Sequence, residues 1–378
     1  MSDTRIPKFV SYPLIALVAI AAVWLGVWLS LQEQRGGIPD NMEATVLPEA
    51  RQLQPFALRD HHGQPFGLAQ LEGRWSFLFF GYTNCPDICP ATLHTMKSVW
   101  QKLPTEPGEP GHPRLFFVSV DPDRDSLDTL RQYVTYFDPS FVGVTGKLDE
   151  IDNLTGQLGV LYGYDEKKND NPLDYNVNHS GQVLLIDPQG RLRAVLPRPM
   201  IPPPWRVTTR SLQTITEIKI MLRVRQLLLF GLLAGFVVTG SANESLQFDN
   251  AWSPEAPPVA PVMAGYVRIS NDGSEDVTLT GARCPDFARV EIHDMVERDG
   301  MMRMIEQESL TIEAGEQVEL KPGSLHMMLI KPRRTIKRGE TLEVTFETAS
   351  GDSIPVSFEV KPQSARDQQH DQHQHHHH

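Results

Sequence analysis

The stretch Gly81–Pro90, Gly-Tyr-Thr-Asn-Cys-Pro-Asp-Ile-Cys-Pro, constrains this chain more than any other. It follows Trp75–Phe80, a short, aromatic-rich apolar run ending at a glycine, which reads as a buried strand. Leu93, Met96 and Val99/Trp100 then recur at helical spacing. Cys85 and Cys89 therefore sit on the loop between a strand and a helix. Pro90 suits a first helical position, which predicts Cys89 at the N-cap, where the helix dipole favours the thiolate. Three residues separate the thiols, against two in a Cys-x-x-Cys redox motif. Such a loop can close as a disulfide or turn both sulfurs towards one soft metal ion. A stapling disulfide is the weaker reading, because so small a loop removes little entropy from the unfolded chain.

Around this stretch strands and helices alternate, the mark of an α/β domain. The predicted strands are Phe56–Leu58, Trp75–Phe80, Arg114–Val120, Phe141–Val144, Gln182–Asp187 and Leu192–Leu196. The predicted helices are Ala91–Leu103, Ser126–Phe137, Leu148–Tyr162 and about Trp205–Met221. At 378 residues the chain is long enough for two domains plus anchors. A net charge of -12 leaves no electrostatic footprint for nucleic acid. Three cysteines, Cys85, Cys89 and Cys284, do not make a disulfide scaffold.

Two further features belong to this domain. His179 lies in a polar loop, Asp174–Gly181, just before a strand; taken alone, a loop histidine is usually a solvated bystander. Asp121, Asp123 and Asp125 follow a strand end and read as turn chemistry, with at most a supporting role near the cysteines. Three motifs in order, Cys85-Pro-Asp-Ile-Cys89-Pro, Ser119-Val-Asp-Pro-Asp-Arg-Asp125 and Asn178-His179-Ser180, resemble the Sco/SenC proteins, over about Leu53–Lys219. The resemblance implies a thioredoxin-like fold and copper ligation by Cys85, Cys89 and His179, in a factor that assembles cytochrome c oxidase. Two thiolates and an imidazole suit copper in either oxidation state. Thioredoxin-like reductases place a cis-proline beside their cysteines, just before a strand; no proline occurs between Leu173 and Asp187, which counts against a dedicated oxidoreductase.

The flanks read as membrane-related. Arg5 and Lys8 precede Phe9–Gln32, an uncharged and mostly apolar run long enough to span a bilayer. Residues 1–35 are thus expected to be a cytoplasmic N-terminus and transmembrane anchor, with the chain beyond them outside the cytoplasm. Residues 36–52 read as a tether and 53–220 as the thioredoxin-like domain. At 221–243 a basic start at Met221, an apolar run Leu227–Val238 and the small residues Thr239–Ala242 give the three parts of a signal peptide in mid-chain. Two reading frames joined into one would produce this arrangement. The apolar core is short, and spanning would put its basic lead outside, so the segment is expected not to cross. It would lie in the interface or be cleaved after Ala242.

Residues 244–362 change character: short strands separated by Gly, Pro and Asp turns, with no amphipathic helix, read as a β-sandwich or barrel. The strands expected are Gly265–Ile269, Val277–Leu279, Val290–His293, Gln317–Leu320, Leu342–Thr345 and Ile354–Val360. His293, Met304, His326 and Met328 form a spaced quartet, and His326 and Met328 alternate so as to face one way. Imidazole and thioether without carboxylate select soft Cu(I). Met301, Met302 and Met327 read as core filler, and Cys284 as a buried small hydrophobe. The quartet resembles that of the periplasmic copper chaperone family PCu(A)C, which implies a cupredoxin-like sandwich with His293, Met304, His326 and Met328 as ligands and Met295 poised to assist. Residues 363–378 are a histidine-rich tail, read as native rather than a tag, of the kind that takes Cu(II).

Together these readings predict a membrane-anchored, periplasmic fusion of two copper-binding domains, a chaperone rather than an enzyme. Its expected partners are the copper-bearing subunit of cytochrome c oxidase, with the copper A centre as target, other periplasmic copper carriers or thiol reductants, and the membrane. A thiol–disulfide reductase keeping the oxidase cysteines reduced, and a copper-buffering or resistance protein, are the alternatives.

Overall fold

A computed structural model describes residues 44–103, 106–109, 111–165, 175–196 and 245–364. The anchor, the helix about Trp205–Met221, the segment 221–243 and the histidine tail lie outside the described residues. Among those described, no helix is long and apolar enough to cross a membrane.

The strands of the first domain are β1 (Thr45–Gln52), β2 (Leu58–Asp60), β3 (Pro65–Phe66), β4 (Ser76–Gly81), β5 (Arg114–Ser119), β6 (Val142–Thr145), β7 (Tyr162–Tyr164), β8 (Val177–His179), β9 (Val183–Ile186) and β10 (Arg191–Leu196). Its helices are α1 (Leu68–Leu71), α2 (Ile88–Trp100), α3 (Leu127–Phe137) and α4 (Leu148–Leu158). Eight of the described strands form one sheet, in the order β1-β10-β9-β4-β5-β6-β2-β3. β4 and β5 run parallel at the centre. They are near-continuous apolar runs with Leu78, Phe79, Phe80, Leu115 and Phe117 buried, as strands covered on both faces require. Ser126 caps α3 by accepting from the Thr129 N–H at 3.1 Å, and Gly159, left-handed at φ 70°, ends α4.

Four expectations are corrected. The tether assigned to 36–52 contains β1, which pairs antiparallel with β10; as an exposed edge strand it needs no apolar alternation, and polar sequence hid it. The helix expected over Leu148–Tyr162 ends at Leu158, and Tyr162 opens strand β7. His179 is not in a loop but ends β8. Finally, α2 begins at Ile88 with Asp87 as N-cap, so Cys89 and Pro90 are its second and third residues rather than cap and first.

The second domain is all-β among the described residues: β11 (Leu246–Pro254), β12 (Val262–Asn271), β13 (Val277–Arg283), β14 (Phe287–Arg298), β15 (Met301–Glu306), β16 (Leu310–Ile312), β17 (Gln317–Leu320), β18 (His326–Pro332), β19 (Thr341–Thr348) and β20 (Ser353–Lys361). The path β13-β19-β20-β11-β12-β18-β14 is closed by a β13–β14 pairing into a barrel-like sandwich. Leu279, Ile312, Met327, Leu329, Leu342, Phe346 and Phe358 fill it, and Cys284 lies in the same core. β20 alternates exposed and buried residues, the period-2 pattern of a strand with one wet face.

The two domains share a sheet. β7 and β8, from the first, add to β15 of the second, with His179 directly opposite Met302.

Candidate metal centres

Strand β4 ends by delivering Gly81 beneath the cysteine loop. A Cβ there would lie 2.5 Å from Cys89 Sγ and 2.9 Å from the Phe117 ring, so only glycine lets the thiol pack on the backbone. The loop is tied down from behind by Asp125, whose carboxylate accepts from the Thr83 N–H at 3.0 Å, the Thr83 hydroxyl at 2.6 Å and the Ser119 hydroxyl at 2.6 Å. Burial pushes the Asp125 carboxyl up to about 6, with Ser119 and Thr83 acting against it. Asp121 accepts from the Arg124 guanidinium at 2.5 Å and from the Tyr175 hydroxyl at 2.7 Å, while Asp123 is exposed. Asp121 and Asp125 thus do more than turn chemistry. They hold the frame around the cysteines.

Cys85, Cys89 and His179 converge, their ligand atoms all within 4.8 Å of one another and all three residues buried. Cys85, Cys89 and Cys284 are free thiols. The third helical residue, Pro90, has no N–H to offer, and the Cys89 N–H is taken by Cys85 Sγ at 3.4 Å. A sulfur thus serves as the helix cap. Burial disfavours the Cys85 thiolate, but the Cys89 thiol and the His179 ring outweigh it and hold Cys85 well below the usual cysteine range. Burial and the adjacent Cys85 push Cys89 the other way, well above it. Of the two, Cys85 is the thiol that loses its proton first. His179 Nδ1 donates to the Ser180 carbonyl at 3.1 Å, which leaves the Nε2 lone pair facing Cys89 Sγ at 3.6 Å. Tyr82 packs edge-on against the imidazole at 5.7 Å between centroids. Two sulfurs and one imidazole nitrogen in a dry pocket fit a soft metal ion and offer a hard cation no oxygen.

The second set lies on one face of the second domain. Directly opposite residues of an antiparallel pair, and residues two apart along a strand, face the same way. His293 is opposite His326 across β14–β18, and Met328 is two residues further along β18. Met304 is opposite Met295, itself two residues from His293. The four expected ligands and Met295 therefore share a face. Both histidines are fully buried, with ring centroids 6.4 Å apart. His326 Nδ1 donates to the Ser324 carbonyl at 2.8 Å; its Nε2 has no hydrogen-bond partner. Burial lowers the His326 ring, which keeps it neutral. His293 Nε2 meets Glu291 at 2.7 Å, and its Nδ1 has no partner. Two orphaned buried nitrogens beside thioethers are what a soft cation would satisfy.

Sequence reasoning missed several neighbours. Glu291 orients His293, and the Glu-x-His alternation was the available signal. Met302 is buried opposite His179, so it faces the side from which both ligand sets project, whereas Met327 belongs to the core as expected. Asp87 stands out in sequence only as part of the cysteine motif.

Residues 45–212 match the SCO1/SenC family, and residues 246–360 match the family described as LpqE-like lipoproteins. A Stutzerimonas stutzeri protein described as copper-binding is 36% identical over 171 residues, which take in 45% of this chain and 81% of the relative. The mitochondrial SCO2 homologue of Bos taurus is 34% identical over 178 residues, 47% of this chain and 66% of that protein. The copper-bound PCuAC domain from PmoF2 aligns at 15% identity and a TM-score of 0.28, over 31% of this chain and 93% of that domain.

Proposed function

Because the chain belongs to the SCO1/SenC family through residues 45–212, with an LpqE-like domain fused behind it, we propose that it is a copper chaperone serving cytochrome c oxidase assembly. The observation that carries this reading is the buried Cys85–Cys89–His179 cluster. The cargo is copper, held as Cu(I) by two thiolates and an imidazole in the first domain. In the second domain His293, Met304, His326 and Met328 capture Cu(I), with Met295 beside them. Ligand exchange between few-coordinate sites then moves the ion without releasing it, and no substrate is turned over. The recipient proposed is the copper-bearing oxidase subunit, at its copper A centre. The tail from His370 adds weaker Cu(II) sites.

We place the protein in the cytoplasmic membrane, anchored by Phe9–Gln32 with both domains in the periplasm. The shared sheet supports this, since β7 and β8 can join β15 only if the two domains lie on one side of the bilayer. Leu227–Val238 then does not cross.

A second reading rests on the thiols themselves. One lowered and one raised cysteine resemble the attacking and buried partners of a thiol–disulfide reductase. His179→Ala separates the two. A chaperone loses copper retention in the first domain but still forms the Cys85–Cys89 disulfide. Unchanged copper affinity together with lost reductase activity would establish the second reading instead.

A further inference from the structure

An aspartate at a helix N-cap ordinarily accepts from its own helix. The Asp87 side chain makes no capping bond, although its backbone carbonyl accepts from the Ala91 N–H as the first helical bond. The reason is local. Pro90 has no N–H, and Cys85 Sγ already takes the Cys89 N–H. The carboxylate is released from capping, and it turns to the other domain. Asp87 Oδ1 accepts from the Tyr266 hydroxyl at 2.8 Å, and Oδ2 accepts from the Gly323 N–H at 2.7 Å.

Both donors lie near the second ligand set. Gly323 sits in the left-handed turn that leads into His326, and Tyr266 is on β12, next to β18. Asp87 is 1% exposed and Tyr266 1% exposed, so the bond between them is dry, and hydrogen bonds to a carboxylate there are strong; Gly323 itself lies in an exposed turn. One residue, placed between the two cysteines in sequence, therefore grips the turn that carries a histidine of the other site.

We propose that Asp87 is the docking latch between the domains: it fixes the second domain, through Tyr266 and Gly323, in the position where the two ligand sets share one face. The proposal deepens the relay reading above and rests on it for its purpose, but the latch itself can be tested without copper. Asp87 is a positioning residue and not a ligand. Because capping is handled by Cys85, its removal leaves α2 with the bonds it already has.

The test is hydrogen exchange at the Gly323 amide in the intact, copper-free, reduced chain. Native protein should protect this exposed-turn amide. Asp87→Ala should raise its exchange at least tenfold. Tyr266→Phe, which alters no metal ligand, should also raise it, since Tyr266 and Gly323 share the Asp87 carboxylate. The double variant should add little to Asp87→Ala. Faster exchange in Asp87→Ala with none in Tyr266→Phe would mean a local bond only and would overturn the latch, as would additive effects or native-like protection in both. Copper transfer is read separately, as the thiolate-to-copper absorption that appears after one equivalent of Cu(I) is added. If exchange responds as expected while the transfer rate stays the same in both variants, the latch stands and the relay falls.

Discussion

The two candidate copper centres are built in opposite ways. The first draws Cys85 and Cys89 from a strand–helix junction and His179 from a strand ninety residues further on. Its sulfurs must lose protons to bind, and the fold eases that loss at Cys85. The second draws all its ligands from three adjacent strands, β14, β15 and β18, and its thioethers carry no proton to lose. A helix terminus tunes charge, whereas a sheet face sets spacing. The first site should therefore be the more pH-dependent, and the second should be set chiefly by register.

Removing ligands should have the largest effect and tests whether the centres are independent. The intact, reduced chain should take one Cu(I) at each domain site. Cys89→Ser should abolish retention in the first domain, well beyond the ~10–100-fold that loss of an orienting neighbour costs, and leave the second site filled. Met304→Ala with Met328→Ala should do the reverse. Chelator competition with copper counting checks this; a stoichiometry unchanged by the methionine pair would break the comparison.

The pH response comes next. Burial and Cys85 push the Cys89 thiol up, so copper must displace its proton, while Cys85 gives its proton up more readily. Affinity of the first site should rise about tenfold for each pH unit gained near neutrality, one proton being released. The second site should depend less steeply on pH, since its thioethers release no proton and burial favours neutral His326. Lowering the pH should thus move copper from the first site to the second. Titration of each single-site variant at two pH values measures both slopes, and equal slopes would contradict the contrast.

The smallest effect sharpens the difference in packing. Gly81→Ala puts a methyl 2.5 Å from Cys89 Sγ, and should destabilise the first domain by about 2 kcal/mol and loosen its copper. The nearest analogue in the second domain, Gly265→Ala, meets Met327 Cβ at 3.2 Å and should cost less. Denaturant midpoints of the two variants give the ranking.

Both fold classes, the cysteine pair and the histidine–methionine quartet are legible in the chain alone as pattern and spacing. His179, alone a bystander loop histidine, is singled out only by the family resemblance. Phe77–Phe80 reads as a covered strand, the Cys85–Cys89 segment as a strand-to-helix junction, and the alternation of His326 and Met328 puts those two on one face whatever the register. The central strands and α3 are legible for the same reason. Edge strand β1 is not, since hydrogen bonding to one neighbour asks nothing of its side chains. Nor is the N-cap, because Pro90 is tolerated anywhere in the first turn and only the backbone decides that Asp87 begins the helix. It takes the folded molecule to join β8 to β15, to set Met302 opposite His179, and to bring Asp87 to Tyr266 and Gly323. These are pairings between residues more than a hundred positions apart. A hydrogen bond of that kind depends on where two folded surfaces meet, and neither partner's neighbours in sequence carry any trace of it.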